Sequence, residues 1–138
     1  MQIVISNELQ EQMIEHAKKE LPNECCGYIT GAGDVCKTFY PMVNVDASPV
    51  HFSFDPKEQF KVIKDARNRA EFPLVVYHSH PESPARLSNE DLRLLKDPDM
   101  VYAIISLESD PPEIKAYRVI DGEINDVLIH SKEVANEC

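Results

Sequence analysis

Apolar residues recur at helical spacing in two long stretches of the chain. The first predicts a helix that is capped by Asn7 and runs to about Glu20, with one apolar side. The second starts at Asp55-Pro56, a capping acid followed by a first-turn proline, and predicts a helix to about Ala70. Ser88 can cap a third, shorter helix that ends near Leu95. The residues expected to face inward from the second helix are Phe60, Ile63, Ala66 and Ala70.

Runs of strand length fill most of the remaining chain. Leu74 to Tyr77 is an uninterrupted apolar run, which is typical of a strand covered on both faces at the centre of a sheet. Gly31 to Asp34 and Asp121-Gly122 are turn sequences that join neighbouring strands into hairpins. The other predicted strands span 26–30, 35–40, 51–54, 101–107, 113–120 and 123–129. About three helices around a mostly antiparallel or mixed sheet indicate the α+β or α/β class, and the hairpins favour α+β.

The composition is that of one folded, acidic domain. The 138 residues are 43% hydrophobic and carry a formal net charge of −10, with no repeat, linker or low-complexity tract, so a single domain over 1–138 is predicted. The acidic balance argues against nucleic acid or an anionic membrane as partner, and favours a partner that docks with a basic patch or through neutral contacts. No stretch approaches the roughly 20 apolar residues of a membrane span. The N-terminus lacks the basic start of a secretion signal, so we expect a soluble, cytoplasmic protein.

The cysteines give no sign of a metal or redox motif. Cys25, Cys26, Cys36 and Cys138 match neither zinc-finger nor thioredoxin spacing, and we expect them to be reduced. At least one of the adjacent pair is expected to face the core.

The segment that best carries chemistry follows the central apolar run. Two histidines at i and i+2 of a strand, as in His78-Ser79-His80-Pro81, point the same way and can converge on one ion. Imidazole nitrogen is a preferred ligand of zinc, and Asp91 is a plausible third ligand from the start of the third helix. A lone HxH is also common by chance, however. Ser88 and Asp91 moreover form an S-x-x-D capping box, which explains both residues without a metal.

A zinc hydrolase also needs a base to take a proton from the attacking water. Glu24 precedes the strand that starts at Cys26, and this places it beside the sheet rather than on an exposed helix face. Gly27 next to it allows another segment of backbone to approach closely. Composition alone does not select Glu24 among the 24 acidic residues.

Taken together, these residues resemble the pattern of the JAMM (MPN+) metallopeptidases. That pattern is a Glu followed by HxHP-x6-S-x2-D, and Glu24, His78-Ser79-His80-Pro81, Ser88 and Asp91 stand at its spacing. The resemblance covers nearly the whole chain and is greatest to small stand-alone bacterial members that act on ubiquitin-like sulfur-carrier proteins.

The resemblance implies a function for each residue of the pattern. His78, His80 and Asp91 would bind zinc, Glu24 would act as general base and then as acid, and Ser88 would stabilise the tetrahedral oxyanion. The implied fold is a cytidine-deaminase-like sandwich, with a curved mixed sheet flanked by helices.

The implied activity is zinc-dependent cleavage after the C-terminal Gly-Gly of a ubiquitin-like sulfur-carrier protein, with release of cysteine or another amino compound. Two alternatives are the removal of ubiquitin-like modifiers from protein lysines, as by a desampylase or deubiquitinase, and a non-catalytic scaffold. His51 and Arg86 are further candidates for substrate contact, although ordinary structural or surface roles explain them at least as well.

Overall fold

The computed structural model describes residues 1–132 and contains seven strands and three helices in this range. The helices are α1 (Asn7–Lys19), α2 (Pro56–Asn68) and α3 (Asn89–Leu94). The strands are β1 (Gln2–Val4), β2 (Cys26–Ala32), β3 (Val35–Met42), β4 (Phe72–His80), β5 (Val101–Ser106), β6 (Glu113–Ile120) and β7 (Glu123–His130).

The strands form one mixed sheet in the order β1-β3-β2-β4-β5-β6-β7, and β1 closes it into a barrel by pairing with both β3 and β7. The hairpins β2-β3 and β6-β7 are antiparallel, whereas β4 and β5 run parallel and are connected through α3. A mixed α+β fold with about three helices is therefore confirmed.

The structure differs from the predicted elements in four respects. Residues 51–54 form no strand, and the three-residue strand β1, which was not predicted, closes the sheet instead. The cap of α1 is Ser6 rather than Asn7, because the Ser6 side chain accepts a hydrogen bond from the Leu9 amide. Strand β4 also extends beyond the apolar run and includes both histidines of the HxH motif.

The inward face of α2 also differs from the prediction. Val62 and Ala66 are buried, whereas Phe60 and Ile63 are exposed and Ala70 lies beyond the helix end with a positive φ. Val62 packs in a core cluster on one face of the sheet, together with Tyr28 and Val76. A second cluster lies under α1 on the other face.

Gly27 marks a close approach between neighbouring strands. A Cβ atom placed there would lie 2.4 Å from the Tyr40 carbonyl oxygen and 2.4 Å from the Tyr77 hydroxyl oxygen. Glycine is therefore required at this position, and the close approach predicted next to Glu24 is confirmed.

The described cysteines are all free and buried. Burial raises the pKa of Cys25 and of Cys36 to about 12, and it raises the pKa of Cys26 as well. Both members of the adjacent pair are thus core residues, while Cys138 lies outside the described residues. Over residues 1–132, no helix combines the length and the apolar character that crossing a membrane requires.

Candidate metal centre

The two histidines lie on β4, which pairs with β2 on one side and with β5 on the other. His78 is in register with Cys26 of β2 on one side and with Ile104 of β5 on the other. Because alternate residues of a strand share a face, His78 and His80 point to the same side of β4. Both are buried, with His78 0% and His80 4% exposed. Strand pairing on both sides therefore fixes where the imidazoles lie.

Asp91 reaches the histidines from the first turn of α3. The Ser88 hydroxyl accepts a hydrogen bond from the Asp91 amide at 3.0 Å, and the Ser88 amide donates to Asp91 Oδ2 at 2.9 Å. This reciprocal pair is the capping box predicted from the sequence. The same Oδ2 atom lies 3.2 Å from both His78 Nε2 and His80 Nε2, so capping and convergence on the histidines occur together.

These three side chains fit a metal ion. His78 Nε2 and His80 Nε2 lie 3.2 Å apart, and the three residues form a buried group whose candidate ligand atoms lie within 4.8 Å of one another. His80 Nδ1 is 2.8 Å from the Pro84 carbonyl oxygen, which can only accept, so Nδ1 carries the proton and a neutral His80 presents its Nε2 lone pair. Two imidazole nitrogens and one carboxylate are a donor set typical of catalytic zinc.

The electrostatics of the group are consistent with metal binding. Burial lowers the pKa of His78, which favours the neutral imidazole that a metal requires. Burial opposes the charged forms of both Asp91 and His80, but hydrogen bonding between Asp91 Oδ2 and protonated Nε2 atoms of the histidines outweighs it, so the pKa of Asp91 is lowered and that of His80 is raised. The carboxylate is therefore ionised at neutral pH. A metal ion bound to the two Nε2 atoms would take the place of those protons.

Glu24 lies beside this group. Extending the antiparallel register of Cys26 with His78 by two residues places Glu24 level with His80. Its side chain is buried, and Oε1 has no hydrogen-bond partner among residues 1–132. Burial raises its pKa from 4.5 to about 8, although the neighbouring His80 opposes the shift. Such a carboxyl can both accept and return a proton near neutral pH.

The Glu24 backbone is held by two neighbouring segments. Its amide donates to the Ser48 carbonyl oxygen at 2.8 Å, and its own carbonyl accepts from Asn44 Nδ2 at 3.1 Å. One residue further on, the Cys25 amide donates to Ser79 Oγ at 2.7 Å. Glu24 is therefore fixed between the loop that follows β3 and the strand that carries the histidines.

Sequence reasoning left a turn role or a contact with substrate backbone open for Asn44, and it missed the bond from Asn44 to Glu24. Asn44 Nδ2 also donates to the His51 carbonyl oxygen at 3.0 Å, and its Oδ1 accepts from the amides of Asp46 and Ser53. The buried amide thus organises residues 44–53 and ties them to Glu24. An asparagine in a turn-rich loop gives no sequence signal for this, because a turn role explains it equally well.

A cavity of about 300 Å³ opens beside the candidate centre. Its floor is the cross-strand row Tyr28, Val76 and Tyr102, which are register partners on β2, β4 and β5. Its walls are residues 51–54 and α3, including Asp91. The Phe52 ring stacks on His78 with ring centroids 4.8 Å apart. The apolar pattern of residues 51–54 thus reflects packing beside the site rather than a strand.

The remaining candidates occupy the edge of the site or lie outside it. His51 lines the cavity, and its Nδ1 lies 3.0 Å from Asp46 Oδ2. Ser88 and Arg86 are exposed in the segment between His80 and α3. His16 lies on the other side of the sheet, where its Nδ1 is 2.7 Å from the Tyr77 hydroxyl oxygen.

The chain belongs to the family described as prokaryotic homologs of the JAB domain, whose model matches residues 6–120. It is similar to the CysO-cysteine peptidase of Mycobacterium tuberculosis, with 34% identity over 135 residues that cover 95% of this chain and 92% of the relative. It is also similar to the desampylase of Haloferax volcanii, with 28% identity over 109 residues that cover 74% and 78% of the two chains. A solved protein from Desulfitobacterium hafniense matches with a TM-score of 0.82 and 37% identity, covering 98% of this chain and 97% of that one.

Proposed function

We propose that this chain is a single-domain, zinc-dependent metallopeptidase that cleaves after the C-terminal Gly-Gly of a ubiquitin-like sulfur-carrier protein and releases cysteine or another amino compound. The convergence of His78, His80 and Asp91 beside the buried Glu24 carries the proposal. The similarity to a CysO-cysteine peptidase over nearly the whole chain supports this choice of substrate.

In this proposal His78, His80 and Asp91 hold the zinc ion. A zinc ion held there would supply Lewis-acid chemistry, which lowers the pKa of a water molecule toward about 7 and polarises a carbonyl group. Glu24 accepts a proton from the attacking water at its carboxylate and later delivers it to the leaving amine. As a helix cap, the Ser88 hydroxyl accepts a hydrogen bond from the Asp91 amide. Its own proton stays available for donation to the oxyanion.

Removal of a ubiquitin-like modifier from protein lysines is the second candidate function, because a desampylase is also among the relatives. The two candidates differ in the leaving amine, which is the α-amine of cysteine in one and the ε-amine of a lysine in the other. A non-catalytic scaffold is the least supported alternative, since a scaffold has no need of three converging ligands beside a buried acid whose Oε1 has no partner among residues 1–132.

Replacing Glu24 tests the proposal. Glu24→Gln is expected to bind about one zinc per chain, because Glu24 is not a ligand, yet to cleave at least about 100-fold more slowly, because the proton acceptor is lost. Zinc content is measured by atomic spectroscopy. Cleavage is measured on a ubiquitin-like carrier ending in Gly-Gly-Cys and on the same carrier joined to a lysine side chain.

Glu11→Gln, an exposed glutamate of α1, is the matched control and should behave as the wild type. His78→Ala should lose both zinc and cleavage. Normal turnover by Glu24→Gln, or full zinc content in His78→Ala, would contradict the proposed mechanism.

A further inference from the structure

Helix α2 presents an exposed face that combines aromatic, aliphatic and basic residues. Phe60 is 68% exposed and Ile63 is 40% exposed, although an amphipathic helix normally buries such side chains. At helical spacing these two share the outward side with four exposed cations, because Val62 and Ala66 take the inward side. We call this surface the α2 face; its cations are Lys57, Lys61, Lys64 and Arg67.

The cations of the α2 face have no partners within the described part of the chain. No salt bridge there involves any of the four. The acids of α2 lie on the other flank of the helix and are already engaged. Asp65 accepts hydrogen bonds from Tyr40 and Arg69, and Glu58 accepts a hydrogen bond from the Val43 amide. The α2 face is therefore a positive surface on a protein whose net charge is −10.

The apolar part of the surface continues past the end of the helix. A groove of about 200 Å³ runs from Ile63 and Arg67 to Phe72 at the start of β4. Phe72 is itself 66% exposed. Neighbouring exposed apolar residues that are bordered by charge are typical of a protein-binding surface, because apolar contact supplies affinity and charge supplies orientation.

The α2 face is connected to the candidate centre. Residues 51–54 line the cavity beside Asp91 and lead directly into α2. From within the helix, Gln59 Nε2 donates to the Tyr28 hydroxyl at 3.1 Å, and Tyr28 belongs to the floor of the same cavity. Helix α2 alone therefore separates a molecule on the α2 face from the cavity beside the candidate centre.

We propose that the α2 face docks the folded domain of the protein substrate, through a substrate surface on which acidic residues surround an apolar centre. This inference rests on the proposed function, and it adds a contact away from the scissile bond. The net charge alone suggests a basic patch on the partner. The unpaired cations of the α2 face instead indicate that the partner surface docking there is acidic.

The experiment compares a folded substrate with its tail alone. The probes are an acidic ubiquitin-like carrier ending in Gly-Gly-Cys and a peptide of its last residues with the same ending. Two variants of the α2 face are tested separately: Phe60→Ser, and the double variant Lys57→Glu with Lys64→Glu. Each should lower kcat/KM on the folded carrier about tenfold, mainly by raising KM. Both variants should cleave the peptide as the wild type does, and zinc content should not change.

Two further measurements separate charge from packing and binding from cleavage. Raising the salt concentration to about 0.5 M should lower kcat/KM on the folded carrier but not on the peptide, because exposed charge pairs are screened. Calorimetric titration with the folded carrier should show weaker binding by both α2 variants. If the wild type bound the folded carrier more tightly than the α2 variants but did not cleave it, the docking surface would be supported and the proposed function contradicted.

Matched controls lie on other parts of the barrel. Leu128→Ser removes an equally exposed apolar side chain from β7, and Lys115→Glu reverses an exposed charge on β6. Both should act as the wild type on both probes. Equal losses on carrier and peptide, or no loss on the carrier, would overturn the proposal. It would also be overturned if Phe60→Ser changed only the oligomeric state, since a second copy of the chain would then cover this face.

Discussion

Glu24 is a buried acid whose carboxylate oxygen Oε1 has no hydrogen-bond partner among residues 1–132. Burial disfavours its charged form, and this raises its pKa in the folded protein to about 8. The unfolded chain has the lower, ordinary pKa. The folded state therefore binds one proton more than the unfolded state between these two values, and the protein loses stability as the pH rises through this range.

The linkage can be measured on zinc-free protein. We expect Glu24→Gln, which resembles the protonated side chain, to gain stability relative to the wild type as the pH rises from about 4.5 to 8, by more than about 1 kcal/mol. Denaturant unfolding at several pH values gives this difference. The control Glu11→Gln should show no such trend, and a Glu24→Gln difference that is constant with pH would contradict a raised pKa.

At the scale of elements, the loop of residues 44–53 and the segment that carries Glu24 form one hydrogen-bonded unit. We expect Asn44→Ala to slow cleavage of both Gly-Gly-Cys probes about tenfold or more through kcat, because the Glu24 carbonyl loses its donor and the carboxyl is no longer held in place. Hydrogen exchange at the Glu24 amide should become faster. The Cys25 amide should stay protected, because it is bonded to Ser79 rather than to the loop.

Asn23→Ala is the control for Asn44→Ala, since Asn23 adjoins Glu24 but no side-chain hydrogen bond of Asn23 is found among the described residues. A change in KM alone for Asn44→Ala would show that the loop contacts substrate without positioning the base. Unchanged exchange at the Glu24 amide would show that Asn44 does not hold this segment.

The elements also show what the sequence can and cannot predict. The HxH motif and the S-x-x-D box are local patterns, so the shared face of His78 and His80 and the position of Asp91 could be predicted. Residues 51–54 alternate like a strand, but Phe52 packs on His78, a contact between residues distant in sequence. Two faces of α2 carry apolar residues in the sequence. Only tertiary packing decides that the face with Val62 is buried and the face with Phe60 is exposed. Strand β1 is too short for any periodicity to show.

At the scale of the whole molecule, the candidate centre joins β4 to α3 and should couple metal binding to global stability. We expect zinc at about 1,000 times its Kd to raise the free energy of unfolding by about 4 kcal/mol, because the ion binds only the folded arrangement. Thermal unfolding with zinc and with a chelator measures the shift. His78→Ala should abolish it and His130→Ala, a histidine of β7, should retain it; an equal shift in His78→Ala would place the stabilising ion elsewhere.

The burial of Cys25, Cys26 and Cys36 has a consequence for how the protein withstands oxidants. Peroxides and alkylating reagents attack the thiolate, and a thiol with a pKa of about 12 is ionised to only about one part in 10⁵ at neutral pH. The described thiols are also shielded from reagents by the sheet and its helices. Under the proposed function the product is cysteine, and this burial would keep the described thiols out of disulfide exchange with it.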